Sequence, residues 1–251
     1  MREIHSTTAL PADELLIWAA RDLTTSRAWR SADGGAYAVA APDLCRRDRL
    51  AVSGPPGPAI TLVRELLPDL GPTYRPLGDA ALVGALAAAI PALTVEDTFG
   101  WMSTAAAVPV AGDKAEWLSE EAHPEITALL AEAFPSSAAL PGIPGVESWA
   151  GVRDDDGTLL ATAALAWSSP TVGLLTGVAV HPSARGRGLA RTVCAHTLNE
   201  ALARHGTAAL MVDGDNASAI GLYARLGLSY RELSAAASTA STATAIPRNS
   251  V

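Results

Sequence analysis

The pattern of apolar and polar positions changes from strand-like to helix-like in one stretch of the second half of the chain. An apolar, partly β-branched run from Gly173 to Val180 stops at His181-Pro182, and proline ends a strand because it has no N–H to donate. A turn rich in glycine and arginine follows over residues 184–188. From Leu189 to about Arg204 apolar residues recur at helical spacing, and Gly206 follows as a helix end. The pattern predicts a strand, a glycine-rich loop and a helix.

The rest of the second half alternates between strands and helices. Trp149–Val152 and Leu159–Trp167 are predicted strands, joined by three aspartates and a glycine. This junction favours a hairpin turn over a calcium loop, because the alternating ligand spacing and the distal glutamate are missing. Asn216 is expected to cap a short helix that Gly227 ends. The other predicted elements are the strands Ala115–Leu118, Ala208–Val212 and Leu228–Leu233 and the helix Pro124–Phe134.

The first half has shorter elements and no motif that indicates chemistry. After a first helix, its order is strand, strand, helix, strand, helix, strand, which is typical of α/β proteins. A basic cluster, Arg46, Arg47 and Arg49, is expected at the surface. The predicted helices are Pro11–Leu23, Ala59–Leu67 and one that Asp79 caps and that runs through Ile90; the predicted strands are Ala36–Ala41, Leu50–Ser53, one starting at Tyr74, and Leu93–Met102.

A change of composition at Ser103–Gly112, a small and turn-prone segment, separates the halves. We therefore predict an N-terminal α/β domain over 1–108 and a second α/β domain over 113–234. Residues 235–251 consist largely of serine, threonine and alanine and are predicted to be a disordered tail. The strand, proline-rich turn and helix of Leu50–Leu67 parallel the later strand, loop and helix. Our hypothesis is that the first half is a degenerate copy of the second, in which prolines have replaced N–H donors.

Composition narrows the classes of function. The chain has 251 residues, 49% of them hydrophobic, and a formal net charge of −8, which argues against a nucleic-acid or membrane-surface role. Its two cysteines have no metal-ligand spacing and suggest no disulfide, so we expect no metal. No signal peptide or membrane-spanning run is visible, and we expect a cytoplasmic protein. The sequence does not predict an oligomeric state.

Two motifs in the second half carry a resemblance to a known family. Residues 185–190, Arg-Gly-Arg-Gly-Leu-Ala, match the pattern Arg/Gln-x-x-Gly-x-Gly/Ala, and Asn216, Ala219 and Tyr223, followed by Leu226-Gly227, match a second signature. In this order they resemble the core of the GNAT superfamily of acyl-CoA-dependent N-acetyltransferases. The resemblance covers Gly173–Arg231 and extends back to about Lys114. It implies a central mixed sheet flanked by helices.

The resemblance also implies a reaction and roles for the residues. We expect transfer of an acetyl group from acetyl-CoA to a primary amine by direct attack in a ternary complex, with a small or amino-acid-like acceptor favoured. Tyr223 is the expected acid for the departing thiolate. In the family, the loop N–H groups bind pyrophosphate, the end of the preceding strand pairs with the pantetheine arm, and its backbone stabilises the oxyanion. The implied cofactor-binding residues are Val178, Ala179, Val180, Arg185, Gly186, Arg187, Gly188, Leu189, Ala190 and Asn216.

One departure from the family pattern leaves the base open. Some members carry a glutamate shortly before the backbone-pairing segment, whereas Leu174–Gly177 holds no carboxylate here. Deprotonation can run through water, Asp213 or Glu147, or the acceptor can be an amine that is already neutral. Two alternative functions also remain: an acyl-CoA-binding sensor without catalysis, and a protein acetyltransferase whose N-terminal half recruits the substrate.

Overall fold

The computed structural model describes residues 1–109 and 114–239 of the chain. These residues form two compact α/β units, each with a mixed sheet flanked by helices. Of the described residues, the first unit contains Met1–Gly100 and Arg231–Thr239, and the second contains those between Trp101 and Tyr230. Among the helices described, none is both long enough and apolar enough to cross a membrane.

These bounds differ from the predicted domains, 1–108 and 113–234. The boundary falls after Gly100, inside the strand Leu93–Thr104, because the end of this strand belongs to the sheet of the second unit. The last strand of the chain pairs with a strand of the first unit, so it leaves the second unit after Tyr230. Part of the predicted linker, 110–113, lies outside the described residues.

The first unit has an antiparallel run of four strands followed by a parallel crossover. The sheet order is β1-β2-β3-β4-β5-β12-β6, in which β4 and β5 are parallel and the other registered pairs are antiparallel. Its elements are β1 (Arg2–Ile4), α1 (Glu14–Ala20), β2 (Arg27–Arg30), β3 (Tyr37–Ala41), β4 (Arg49–Ser53), α2 (Pro56–Leu70), β5 (Arg75–Asp79), α3 (Ala80–Ala89), β6 (Leu93–Thr104) and β12 (Ser229–Ser238).

The second unit holds the predicted strand, loop and helix at its centre. Its sheet order is β7-β8-β9-β10-β11, followed by the end of β6; β10 and β11 are parallel and the preceding pairs antiparallel. Its elements are β7 (Ala115–Leu118), α4 (His123–Ala133), β8 (Val146–Arg153), β9 (Leu159–Ala166), β10 (Gly173–Val180), α5 (Leu189–His205), β11 (Ala208–Asp213) and α6 (Ala217–Arg225).

The core of the second unit places α5 across the sheet. Val193, Cys194 and Leu198 of this helix are fully buried and belong to one apolar cluster with alternate residues of β8 and β9 and with Tyr223 of α6. Alternate residues of a strand point to the same face, so one face of the sheet is covered by these two helices. This packing fixes α5 against the sheet.

The two units repeat one order of elements. Each has a strand, a helix, three further antiparallel strands, a crossover helix, a parallel strand and a helix. The pair β4 and α2 thus corresponds to β10 and α5, as the sequence comparison of Leu50–Leu67 suggests. Helix α2 starts at Pro56 and is preceded by Pro55, whereas the corresponding helix α5 starts at Leu189 and is preceded by Gly188. This agreement supports the hypothesis of a degenerate copy, which stays a prediction.

Three expectations for local structure are wrong. Ala235–Ser238, assigned to a disordered tail, continue strand β12, while the tail from residue 240 lies outside the described residues. Arg49, assigned to the surface, is 6% exposed, and its Nε donates to the Leu44 carbonyl at 3.2 Å. Asp79 precedes α3 but makes no side-chain cap, because its carboxylate accepts from Nε of Arg231 at 2.6 Å.

Candidate functional site

Strand β10 contains a bulge that interrupts its pairing with β9. Thr176 is registered with Ala164 and Ala179 with Thr162, so β10 uses one more residue than β9 between the two pairs. Gly177 lies inside this bulge with φ of +61°, in the left-handed region that glycine adopts without strain. The bulge releases main-chain groups of β10 from the ladder at the middle of the sheet.

The parallel pair β10 and β11 separates just beyond the same point. The last registered pair is Leu175 with Leu210, although β10 continues to Val180 and β11 to Asp213. Both continuing segments line a cleft with a volume of about 790 Å³. An unpaired strand end facing a cleft can accept an extended, amide-containing molecule as an added strand.

The loop after β10 brings open backbone to the N-terminus of α5. Gly186 and Gly188 have φ of +77° and +79°, and a Cβ at either position would meet nothing within 4 Å. Gly188 is the N-cap, so no side chain covers the helix start, and the first intrahelical bond is that of Thr192 N–H to the Gly188 carbonyl at 3.1 Å. Helix geometry leaves the preceding N–H groups without an intrahelical acceptor, and the positive end of the dipole adds to them. Open N–H groups at a helix N-terminus can bind an anion.

Helix α6 supplies the second predicted motif. As expected, Asn216 caps it, because its Oδ1 accepts from the Ala219 N–H at 3.1 Å. Tyr223 is 6% exposed and borders the cleft. Burial raises the pKa of the Tyr223 phenol well above its usual value, and the nearby Cys194 thiol adds to the effect. The phenol therefore stays protonated near neutral pH and can donate its proton to a group in the cleft.

The cleft gathers all but one of the predicted site residues. Arg187 is the exception and does not line it. Ala133 and Phe134, at the end of α4, close another side of the cleft, and no sequence motif marked them. The predicted residues that line the cleft are Val178, Ala179, Val180, Arg185, Gly186, Gly188, Leu189, Ala190, Asn216 and Tyr223.

Sequence reasoning missed part of the positive charge of the site. Arg191, which the sequence analysis did not single out, is exposed and lines the cleft, and Arg225 on α6 does so too. Together with Arg185 they give the cleft three guanidinium groups in a protein of net charge −8. Its position in the sequence could have identified Arg191, because it lies three residues after Gly188, in the first turn of α5.

The structure separates the two carboxylates that the sequence left open as bases. Asp213 lines the cleft at the end of β11. Glu147 does not: its Oε1 accepts from the Ser168 N–H at 2.9 Å, and its Oε2 lies 3.5 Å from Arg204. Both oxygens of Glu147 are thus engaged elsewhere in the unit.

His181, at the junction of β10 and the loop, has a local structural role. Its Nδ1 accepts from the Ser183 N–H at 3.3 Å and thereby caps the 3₁₀ turn of Pro182–Ala184. The same nitrogen lies 2.7 Å from the Ser183 hydroxyl. Its Nε2 lies 3.4 Å from Glu132 of α4. These contacts fix the direction in which the chain leaves β10 toward Gly186.

Comparison with known proteins agrees with this arrangement. Residues 115–228 match the model of the acetyltransferase (GNAT) family. No curated protein matches the chain significantly in sequence. Residues 115–228, which span β7 to α6, form a domain of the GNAT acetyltransferase family.

Solved structures share the fold over most of the chain. A GCN5-related N-acetyltransferase from Kribbella flavida has a TM-score of 0.62 at 17% identity, covering 91% of this chain and 97% of its own. A GCN5-related N-acetyltransferase from Sphaerobacter thermophilus has a TM-score of 0.54 at 16% identity, covering 87% and 82%. A GNAT-family acetyltransferase from Colwellia psychrerythraea has a TM-score of 0.52 at 13% identity, covering 94% and 98%.

Proposed function

We propose that this chain transfers an acetyl group from acetyl-CoA to the primary amine of a small or amino-acid-like acceptor, by direct attack in a ternary complex. The observation that carries the proposal is that one cleft joins an anion site of open backbone N–H groups to a buried, protonated tyrosine. An acyl-CoA carries a pyrophosphate and releases a thiolate that takes up a proton, so it matches both features of the cleft.

The anion site fits the phosphate end of the molecule. The N–H groups of Leu189 and Ala190 and the dipole of α5 can bind the pyrophosphate, and the open space at Gly186 and Gly188 lets it approach the backbone. The guanidinium groups of Arg185, Arg191 and Arg225 complement its charge. Arg187 does not line the cleft and has no role in the proposal.

The separated strand ends fit the extended, amide-rich arm. Val178, Ala179 and Val180 would pair with it as with an added strand, and Asn216, at the start of α6, lies where it can contact the arm. Acetyl-CoA supplies an activated acetyl thioester. A main-chain N–H in the segment freed by the bulge would stabilise the oxyanion that forms when the amine attacks.

Tyr223 is the proton donor in this proposal. When the tetrahedral intermediate collapses, the carbon–sulfur bond breaks and the thiolate takes the phenolic proton. A phenol is protonated at neutral pH and burial raises its pKa further, so the donor is in the correct state before each turnover. The phenolate that remains is reprotonated from solvent as the products leave.

Release of free thiol from acetyl-CoA on addition of candidate amines tests the proposal. We expect amine-dependent release by the purified chain, and acetylated product at one equivalent per thiol. Tight binding of acetyl-CoA by calorimetry with no turnover across a broad panel of amines would indicate an acyl-CoA sensor. Turnover confined to protein or peptide amines would indicate a protein acetyltransferase.

A further inference from the structure

The arginines near the starts of β4 and β5 differ in whether a carboxylate pairs with them. Arg49 and Arg75 begin these parallel strands and are registered with each other, which brings like charges side by side. Arg75 forms an ion pair with Glu96 of β6, and Nη1 of Arg47 lies 3.9 Å from the same carboxylate. Arg49 has no ion-pair partner among the residues that the structure describes. Glu96 therefore serves Arg47 and Arg75 and leaves Arg49 unpaired.

The guanidinium of Arg49 is buried with most of its donors unused. Arg49 is 6% exposed, and within the described part of the chain its side chain makes one hydrogen bond, from Nε to the Leu44 carbonyl. Both terminal nitrogens therefore keep their N–H groups free. Burial lowers the pKa of the Arg49 guanidinium, and the charges of Arg47 and Arg75 add to this effect. A buried charge of this kind is costly unless a partner of opposite charge meets it.

A second guanidinium with unused donors lies in the same region. Arg21 is the C-cap residue of α1, and its Nε is buried without a hydrogen-bond partner in the described structure. Burial raises the pKa of the Cys45 thiol to about 11, and the charges of Arg49 and Arg21 both act against this rise. Both guanidinium groups thus lie within electrostatic reach of Cys45, in the loop between β3 and β4. We call Arg21 and Arg49 the arginine pair.

The carboxylates of this region do not satisfy the arginine pair. Asp22 accepts from the Thr24 N–H at 3.0 Å and from its hydroxyl at 2.7 Å. Asp48 accepts from the Asp43 N–H at 3.0 Å. Asp43 and Asp97 influence the charges here, yet in the described residues neither forms an ion pair or a hydrogen bond with the arginine pair. The free N–H donors are left for a ligand.

The backbone around the arginine pair is strained. Arg21, Asp43, Cys45 and Arg46 have φ of +52°, +50°, +53° and +62°, in the left-handed region that is unfavourable for a residue with a Cβ. Such conformations persist only where the surrounding structure fixes them, and they are common at ligand sites. They agree with a loop whose shape is set by what it encloses.

We propose that the arginine pair binds a small tetrahedral dianion, hydrogen phosphate. Guanidinium groups donate in pairs to phosphate oxygens, and the charges of Arg21 and Arg49 together balance the double negative charge of the ion. A monocarboxylate would balance only one of them. Because Arg49 is buried, the ligand must be small, and the exposed Asp43 and Arg46 beside Cys45 place the loop at the surface, where an ion can enter. This site belongs to the first unit and does not depend on the proposed acetyl transfer.

The test is calorimetric titration of the full chain with inorganic phosphate, at constant ionic strength and about pH 8, where phosphate is a dianion. Phosphate can also bind at the N-terminus of α5, so every protein carries Gly188→Glu to exclude that place. The variants are Arg21→Met and Arg49→Met, which remove the charge and keep an apolar side chain. Arg46→Met is the matched control, since Arg46 has a similar φ to Arg21 but is exposed.

We expect the parent protein to bind one phosphate, Arg21→Met and Arg49→Met to bind it about tenfold or more weakly, and Arg46→Met to stay within about threefold of the parent. Should Arg49→Met not fold, Arg21→Met, at the less buried member of the pair, decides the outcome alone. Equal phosphate affinity in the parent and in Arg21→Met would overturn the inference. Acetate bound as tightly as phosphate would overturn the choice of a dianion.

Thermal unfolding distinguishes a ligand site from a purely structural role. Arg21 stands at the C-terminus of α1, where a positive charge is favourable, so Arg21→Met loses some stability without any ligand. A ligand that binds only the folded state adds stability as its concentration rises, so the gap between the parent and Arg21→Met should widen with phosphate. A gap that stays constant would overturn the inference. None of these outcomes bears on acetyl transfer, which thiol release tests separately.

Discussion

Gly177 lies directly against the indole ring of Trp149: a Cβ built on the glycine would stand 2.8 Å from Cη2 of that ring. Trp149 is 3% exposed, so the ring is held within the unit and cannot swing out to solvent at low cost. The glycine φ of +61° and this close approach both exclude a side chain at the bulge of β10. The Trp149 ring, which belongs to β8, thus packs directly against the bulge of β10.

We predict that Gly177→Ala lowers the free energy of unfolding by about 1–3 kcal/mol more than a substitution that adds left-handed strain alone. Gly142→Ala is the matched control, since Gly142 has φ of +79° and open space around its Cα. Urea unfolding of the two variants measures the difference. Equal losses of stability would show that Trp149 does not constrain the bulge.

Gly188→Glu should abolish acetyl-CoA binding, with a loss of affinity of about 100-fold or more, because its carboxylate would stand at the proposed pyrophosphate site. Gly206→Glu is the control at the other end of the same helix, with φ of +81° against +79° and equally open space.

The helix dipole makes this comparison sharper. A carboxylate is favourable at the N-terminus of α5 and unfavourable at its C-terminus, so Gly206→Glu should be the less stable variant and yet bind acetyl-CoA normally. Thermal unfolding measures the stability of each variant, and calorimetry on the same samples measures its affinity for acetyl-CoA. Similar affinities in the two variants would contradict the assignment of the anion site.

Tyr223→Phe should reduce kcat by about 100-fold while changing the acetyl-CoA Kd by no more than about threefold, since the hydroxyl acts on the thiolate and contributes little to binding. Tyr230→Phe, at a tyrosine that is 42% exposed, is the control. Steady-state kinetics with calorimetry separate the two effects. A kinetically silent Tyr223→Phe would remove the acid from the mechanism.

Arg231 in β12 should make the stability of the first unit depend on acid pH. Its Nη1 and Nη2 donate to the two carboxylate oxygens of Asp13 at 3.0 and 3.2 Å. Burial raises the pKa of Asp13, but the hydrogen bonds and charge of Arg231 outweigh it, and the pKa is lowered overall. A carboxyl with a lowered pKa stabilises the fold above its unfolded pKa of about 4, and this stability is lost as the pH falls further.

The variant Asp13→Asn isolates this effect, because asparagine also caps helices well and so retains the cap of α1. We expect it to lose about 1–3 kcal/mol at pH 7 and much less at pH 3, measured by urea unfolding. Glu125→Gln, which breaks a more exposed pair with Arg153, should cost at most about 1 kcal/mol. A pH-independent difference between Asp13→Asn and the wild type would show that the ion pair contributes nothing.

The first unit should bind no second acetyl-CoA, so calorimetry should find one site per chain. The strands β4 and β5 correspond to β10 and β11 but remain close together: a Cβ on Gly78 of β5 would stand 2.5 Å from the Val52 carbonyl oxygen of β4. The first unit therefore has no opening at the place where β10 and β11 separate in the second. Arg231 joins Asp13 to Asp79 at the end of β5. Binding at two sites per chain would contradict this account of the first unit.

The sequence predicted the elements whose signals are local. Strand Gly173–Val180 and helix Leu189–His205 agree with prediction nearly to the residue, because proline and glycine mark their ends and apolar spacing marks their faces. The cap by Asn216 was predictable for the same reason. The proline-rich turn was misread, since Pro56 begins α2 three residues before the predicted start, a position that proline tolerates well.

Long-range features could not be predicted. The pairing of β12 with β5 and the bond from Arg231 to Asp13 join residues far apart in sequence, and no local pattern encodes such partners. The strand Arg27–Arg30 has too few apolar residues to be recognised and is fixed by its neighbours in the sheet. That Asp213 lines the cleft and Glu147 does not likewise required the structure.

A crystal structure of the chain grown with acetyl-CoA tests the central claim most directly. We expect one molecule per chain, with its pyrophosphate against the N–H groups of Leu189 and Ala190, its arm along Val178–Val180, and its sulfur beside the Tyr223 hydroxyl. Acetyl-CoA bound elsewhere, or bound in the cleft with its sulfur far from Tyr223, would contradict the proposed site and mechanism.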